Sequence, residues 1–507
     1  MKLKIFQAIA FFLGMLLFLQ FNSLFSVSAQ NTDNIPTDNF QKDGEEKINN
    51  VLTLNNFESD KVGEKMNNSS DLVVSENSVS EEKVWLTQSG NDKNSGAENS
   101  PVATLNRALE LAENGGEIIV LGRFILPSDF KWEPHSKEVK ISGDRLDCSN
   151  LSSLRVRDSV TFDDIDIIFK EGALLYACGN KFKIGENTDI TGEIAFFGGE
   201  YSHAVESTDV TLLSGNYSYI YGGGNYADVK GDVNLYIGGK VNNLPKSGYS
   251  INKPHAVYGG CIEGDVSGDI HVTAEGNVNK NLDYKNHESL ASIYGGCNGG
   301  NVNGKIELNV GEKARFNYIF GGGCGKKTEV KKGITLNFKG EAMSVMGGSA
   351  SGDVTCDITL NFIDGWAEQV FGGCEKASVK GNIKVNLLGG TITRRIFGGC
   401  YNFLKRKFIF ITWEDNCHVS GETVVNISDK VNLDFSFKTN GIDDLGISAS
   451  SRHKKNFKDE TAVIVFLNSK AKQKYEKNIG IKTGFFLTDW FLRFAKPYDE
   501  MICEKGQ

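Results

Sequence analysis

The chain has 507 residues, room for several conventional domains or for one long repeat array. Glycine is abundant at 57, proline is scarce at 7, and the formal net charge is −9. That balance argues against nucleic acid as a partner, because broad binding to phosphate backbones needs basic stripes that displace counterions.

The first residues speak to compartment. Lys2 and Lys4 precede an apolar run over 5–19, and Val27 and Ala29 stand at the −3 and −1 positions of a cut after Ala29. A positive start, an apolar middle and a small-residue end read as a secretory signal peptide over 1–29. Export to the extracellular space or cell surface is expected, with no transmembrane span after cleavage. An uncleaved anchor is the alternative, since the apolar run is long. There is no cysteine at the cut to suggest a lipoprotein and no LPxTG sequence to suggest covalent wall attachment. Residues 30–80 are rich in Asn, Asp, Glu, Ser and Lys without apolar periodicity, and are expected to be a disordered linker.

Ordered chain is expected from Val84. VWLT reads as a strand, SGNDKNSGAENSP as turns, and 104–113 as a helix with Leu105, Ala108, Leu109 and Ala112 on one face. Gly115-Gly116 ends it, and EIIVLG is the next strand. Short strands follow in VKIS, SLRVR, VTFDDIDIIF and GALLYA.

Then the chain repeats. Gly-Gly pairs begin at Gly198, Gly222, Gly259, Gly295, Gly321, Gly347, Gly372 and Gly398, mostly about 25 residues apart. A second phrase keeps step: VKGDVNLYI from Val229, VSGDIHVTA from Val266, VNGKIELNV from Val302 and VKKGITLNF from Val330. It continues as VTCDITLNF from Val354, VKGNIKVNL from Val379 and VSGETVVNI from Val419. Its alternation of apolar and polar residues has the strand period of two. One such copy cannot bury a core, but stacked copies can. The expected fold is all-β: a single-stranded parallel β-helix, a solenoid, over 81–430, with ~25-residue turns and a short N-terminal capping helix. Residues 431–507 are expected to be a C-terminal capping region. TAVIVFLN is a strand there, and TGFFLTDWFLRFAKP is an apolar end cap or a docking segment.

Several residue types recur in phase. The glycine pairs call for either positive φ or close backbone approach. Cys261, Cys297, Cys324, Cys374 and Cys400 each follow Gly-Gly. They read first as small buried thiols, next as disulfides between copies, and last as a metal site, because no CxxC or paired His accompanies them. Asn309, Asn337, Asn361, Asn386 and Asn426 share one phase and read as a structural polar ladder.

The region 84–122, SGND…G…SP..TL..AL..A..GG.I.VLG, resembles the N-terminal opening of right-handed parallel β-helix proteins of the pectin-lyase-like superfamily. VTFDDIDIIF…GALLYACGNKFKIGENT and the YGGG/YGGC turns are similar to large glycine-rich, adhesin-like surface proteins of gut and other anaerobic bacteria. The resemblance spans 84–430. It implies a right-handed coil and a secreted or cell-surface, adhesin-like role. It also brings in an enzymatic alternative, because superfamily members include pectate lyases and polygalacturonases.

The residues give that alternative little support. Asn187-Thr188-Asp189 is a lone NTD without its companion aspartate pair, GHG or RIK sequences, and Asp163-Asp164 lies upstream. The calcium-lyase sequences are absent as well. Asp232, Asp269 and Asp357 share one phase and suggest a calcium-binding stripe, interrupted at Lys305, Gly333 and Asn382; a solvated face is the plainer reading. The seven histidines show no metal-ligand spacing. No catalytic residue, metal ligand or other cofactor is assigned.

Binding is the stronger reading. Tyr221, Tyr258, Tyr294, Phe320, Met346, Phe371 and Phe397 each precede a Gly-Gly, and each follows an aliphatic residue, from Ile220 to Ile396. If the aliphatic column points inward, the aromatic one faces out and could stack on sugar rings. The other reading makes the aromatic column the core. Two inserted loops, NNLPKSGYSINKPH after Val241 and NKNLDYKNHESL after Val278, share a phase and contribute Tyr249, His255, Tyr284 and His287. A third, YNFLKRKFIFITWEDNC after Cys400, is basic and apolar and suits the open end of the helix. The expectation is an adhesin-like, non-catalytic protein that binds a polysaccharide or a host or neighbour-cell ligand. Polysaccharide lyase or glycoside hydrolase action on an acidic polysaccharide is the alternative. Carboxylates clustered with Lys or Arg in one groove across adjacent turns would favour the enzyme.

Overall fold

The computed structural model describes residues 83–243, 255–282, 291–401, 417–435, 445–451, 461–482 and 501–504. The expected signal peptide and linker lie outside the described residues, as do Tyr249, Tyr284, His287 and the segments 402–416 and 483–500. The fold is all-β, with strands joined into long parallel ladders, an arrangement compatible with a β-solenoid.

One ladder starts at Lys83–Thr87, Glu117–Ile125 and Glu138–Cys148. It later runs through Ile270–Ala274, Lys305–Val310, Gly333–Phe338, Ile358–Phe362, Ile383–Leu387 and Glu422–Ile427. A second ladder includes His255–Tyr258, Ala291–Tyr294, Arg315–Phe320, Glu341–Met346, Trp366–Phe371 and Thr391–Phe397. The first valine of each repeated phrase, with Val205 ahead of them, makes a third, narrow column. Val205, Val229, Val266, Val302 and Val330 bridge in parallel, and so do Val354, Val379 and Val419.

Register stacks like on like. Ile270 pairs with Ile306, Ile306 with Ile334, Ile334 with Ile358 and Ile358 with Ile383. These columns and the inward residues of the second ladder form one continuous buried core. Each fully buried aliphatic side chain is worth about 1.5–3 kcal/mol, and neighbouring copies complete that burial for one another. Parallel pairing runs past residue 430, since Glu422–Ile427 pairs with Thr461–Phe466 and that strand with Met501–Glu504. The Gly-Gly and asparagine signals fade there while strand alternation persists.

The N-terminal helix is shorter than expected, Leu105–Leu111, and buries Leu105, Ala108 and Leu109. The Thr104 side chain caps its start by accepting from the Arg107 N–H. At its end, Lys137 Nζ donates to the carbonyls of Leu109, Glu110 and Ala112, which lack helical partners. Just beyond, Trp132 Nε1 donates to buried Asp158 at 2.8 Å.

Close approach, and not positive φ, explains the glycine pairs. None of them has a left-handed φ. A Cβ on Gly259 would sit 2.1 Å from the Gly295 carbonyl oxygen, and one on Gly295 would sit 2.3 Å from that of Gly321. The ladder continues through these corners: Gly259 N–H donates to Tyr294 O and Gly260 N–H to Gly296 O.

At several corners the residue after the pair supplies a side-chain acceptor to the copy before it. Gly224 N–H donates to Cys261 Sγ at 3.2 Å, Cys261 N–H to Cys297 Sγ at 3.3 Å and Cys374 N–H to Cys400 Sγ at 3.4 Å. Ser349 fills the same place, accepting from Gly323 N–H at 3.1 Å. Cys261, Cys297 and Cys374 are buried free thiols. Two cysteines depart from the expected pattern. Cys324 is one residue out of phase, because Gly323 takes the slot, and it lies half-buried against the outer aromatic cluster. Cys400 is joined to Cys417 in a disulfide.

Polar ladders hold the remaining edges. Asn337 donates to Asn309, Asn361 to Asn337, Asn386 to Asn361 and Asn426 to Asn386, each at 2.7–2.8 Å. The aspartate stripe is engaged with backbone. Asp232 accepts from Asp269 N–H, Asp269 from Lys305 N–H and Asp357 from Asn382 N–H, each at 2.8 Å.

Candidate ligand-binding surface

The aromatic column lies on the outer side of the second ladder, because the aliphatic neighbours Ile220, Val257, Ile293, Ile319, Val370 and Ile396 belong to the inner core. Alternation then sends the rings outward. They are nonetheless covered: Tyr221, Tyr258, Tyr294, Phe320, Phe371 and Phe397 are all at most 9% exposed. The expected open ladder of ring faces is therefore corrected. Tyr221 stacks on Tyr258 at 4.7 Å, Tyr258 on Tyr294 at 4.9 Å and Tyr294 on Phe320 at 4.9 Å, all within 7° of parallel. Phe371 stacks likewise on Phe397 at 5.4 Å. The spacing of parallel strands, about 4.8 Å, matches ring stacking, so in-register rings cover one another's faces. Tyr176 and Phe197 extend the stack at its N-terminal end. Tyr219, Ile262, Tyr318, Cys324 and Tyr401 pack against the column.

His255 begins a strand and is buried. Its Nε2 lies 3.1 Å from Glu193 Oε1, and its ring stacks on Tyr219 at 6.3 Å.

Exposed aromatic surface lies elsewhere. Among the described residues the exposed large hydrophobic side chains are Ile125, Tyr201 at 42% and Tyr226 at 54%. The two tyrosines follow the Gly-Gly pairs at 198 and 222, where the chain leaves the second ladder and turns a corner. They occupy adjacent copies in register, with Tyr226 N–H donating to Tyr201 O at 3.0 Å. Their rings meet edge to face, 5.3 Å apart and inclined at 73°. Glu200 lies beside them, largely buried. Its Oε1 accepts from Arg157 Nη2 at 3.3 Å and lies 3.6 Å from Cys178 Sγ, and its Oε2 lies 3.4 Å from His203 Nδ1. Burial and the Glu200 carboxylate push the Cys178 thiol up to about 12. Two rings set at an angle beside a fixed charged pair suit an amphipathic ring ligand. Sequence reasoning missed this corner because it followed the residue before each Gly-Gly. The signal sits just after, in GGEY at 198–201 and GGGNY at 222–226.

A second feature is a polar cleft of about 360 Å³, on the first ladder, lined by Asp166, Glu186, Asp189, Ser214, Asn216 and Lys240 among others. Asp166 and Asp189 are register partners on adjacent strands. Arg145 Nη2 holds Asp166 at 3.0 Å, and Lys240 Nζ donates to the Glu186 carbonyl at 3.4 Å. The lone NTD sequence thus lines a cleft together with carboxylates and a lysine. Among the described residues, no three His, Cys, Asp or Glu side chains are placed to hold a metal ion. No helix among them is long and apolar enough to cross a membrane.

Comparison with protein-family models, curated proteins and solved structures finds no match to this chain.

Proposed function

We propose that the protein is an exported, adhesin-like, non-catalytic binding protein that holds a glycan of a host or neighbouring cell at the Tyr201–Tyr226 corner. In this reading its scaffold is a right-handed parallel β-helix with ~25-residue turns and a capping N-terminal helix. Export rests on the signal-peptide features of residues 1–29. The repeated register of the long parallel ladders supports the scaffold. The observation that carries the function is the pair of exposed tyrosines in adjacent copies, next to the Arg157–Glu200 pair. Large rings left in solvent on a rigid corner suit sugar stacking, as no internal packing requires their exposure. The test is a glycan array probed with wild-type protein and with Tyr201→Ala and Tyr226→Ala. Binding that both substitutions abolish supports the reading; an array without any bound glycan overturns it.

The polar cleft favours a second reading, a polysaccharide lyase or glycoside hydrolase. Asp166, Glu186 and Asp189 share that groove with Lys240 across adjacent strands. Product analysis after long incubation with acidic polysaccharides decides it. New unsaturated or reducing ends that disappear in Asp189→Asn would establish catalysis there.

A further inference from the structure

Two exposed arginines stand beside the tyrosine corner. Arg155 and Arg157 flank buried Val156, so the alternation of an extended chain sends both side chains outward, their Cα atoms about 7 Å apart. Arg155 is the register partner of Tyr176, and Tyr176 of Phe197, so Arg155 takes the first place in the outer ring column. Its guanidinium carbon lies 5.4 Å from the centre of the Tyr176 ring, and among the described residues it has no carboxylate partner.

Arg157 reaches the corner itself. Its Nη2 donates to Glu200 Oε1 at 3.3 Å, and Glu200 immediately precedes Tyr201. The Arg157 side chain is 46% exposed, whereas that of Glu200 is only 10% exposed and also lies 3.4 Å from His203 Nδ1. A guanidinium has five donors in a planar fork, so Arg157 keeps donors for a second anion.

The surrounding charges give the corner a direction. Asp158, next in the chain, is turned inward and held by Trp132 and the His135 N–H. Glu206 is paired with Lys230 at 2.8 Å. Glu263 is exposed one copy beyond Tyr226, where its N–H donates to Asn225 O. Two cations thus face one covered carboxylate on the arginine side, and a carboxylate that repels anions lies on the far side. On a chain of net charge −9 this is a local reversal of sign.

Resting on the glycan reading above, we infer that this corner binds an acidic sugar, whose carboxylate or sulfate meets Arg157 and Arg155 while a ring face rests on Tyr201 or Tyr226. The arginines determine the preference for an anion, through charge-assisted hydrogen bonds, and the tyrosines supply the platform.

Titration calorimetry on the full chain tests this with neutral oligomers of glucose, galactose and mannose, their uronate counterparts, and sulfated forms of the neutral oligomers. The last two sets separate carboxylate from sulfate as the anion. The expected result is that one acidic set binds about tenfold or more tighter than the neutral set, as a charge-assisted hydrogen bond provides. That gap should narrow as added salt screens the charges. Arg155→Gln breaks no ion pair, and Arg157→Lys keeps a charge beside Glu200, so neither acts through folding. Each should weaken the acidic oligomer and leave the neutral one unchanged, Arg155→Gln by about tenfold; weakening in either variant supports the site. If Tyr201→Ala and Tyr226→Ala abolish binding but neutral oligomers bind as tightly as acidic ones, the inference fails and the glycan reading stands. An acidic preference undiminished in both arginine variants also overturns the inference alone. If no oligomer binds, or the tyrosine substitutions leave binding unchanged, both fall together.

Discussion

Tyr258 lies face to face on Tyr294, 4.9 Å apart with planes 7° from parallel, and each ring is also stacked on its other side. A ring enclosed on both faces supports the fold and presents no platform. Tyr258→Ala should therefore destabilise the protein by about 3–5 kcal/mol, the usual cost of deleting a buried aromatic ring. Glycan affinity per folded molecule should not change. Urea unfolding beside binding on the same preparation checks this. Selective loss of binding at unchanged stability would return the column to the list of ligand contacts.

The glycine pairs make a sharper distinction. A Cβ on Gly295 would lie 2.3 Å from the Gly321 carbonyl oxygen, a backbone atom that cannot swing aside as the end of a flexible side chain can. At Gly115 nothing lies within 4 Å of a new Cβ, but φ is +87°. Gly295→Ala should cost more than about 3 kcal/mol by forcing the strands apart. Gly115→Ala should cost about 1–2 kcal/mol, the strain of a left-handed alanine. Comparable midpoints for the two variants would show that the corners tolerate a methyl group.

Asn361 sits inside the amide ladder, donating to Asn337 and accepting from Asn386, each at 2.7 Å. Asn361→Ala leaves a donor and an acceptor without partners. A loss of about 1–3 kcal/mol is expected, read as a lower unfolding midpoint. Asn426, at the end of the five-residue chain, has only one such bond, to Asn386. Asn426→Ala should cost about half as much, and equal losses would argue against coupling along the ladder.

Asp158 makes the N-terminal region acid-sensitive. Burial alone would raise its pKa, but hydrogen bonds from Trp132, from the His135 and Lys137 N–H groups and from the His135 side chain outweigh it and hold the carboxyl below its ordinary value. A depressed folded pKa contributes stability that is fully present above the unfolded value of about 3.9 and is lost as pH falls through the lower folded value. Trp132 fluorescence should therefore report loosening of this region below about pH 4. In Asp158→Asn the protein should be less stable at neutral pH, with a flatter acid limb. An unchanged acid limb in that variant would assign the transition to other carboxylates.

Much of the architecture could be read before any coordinates. The asparagine ladder followed from shared phase, and the parallel ladders from repeated alternation, because both are properties of a short segment met many times over. The binding surface was less legible. Tyr221, Tyr258 and Tyr294 have the composition of a sugar platform, and nothing local distinguishes a ring stacked on its neighbour from one left in solvent. Tyr201 and Tyr226 each stand two residues after a glycine, and they are the exposed pair because they fall beyond the corner where in-register stacking ends.

By itself, the sequence determined that the chain is all-β and that its strands pair in parallel, like residue on like residue. Periodicity and alternation are local, and a repeat too small to enclose a core leaves stacking as the way to bury it. Only the tertiary structure decided that the outward rings are covered and that the glycine pairs answer to a neighbouring carbonyl. Each of these depends on what lies in the copies above and below, at a distance in sequence that no single segment encodes.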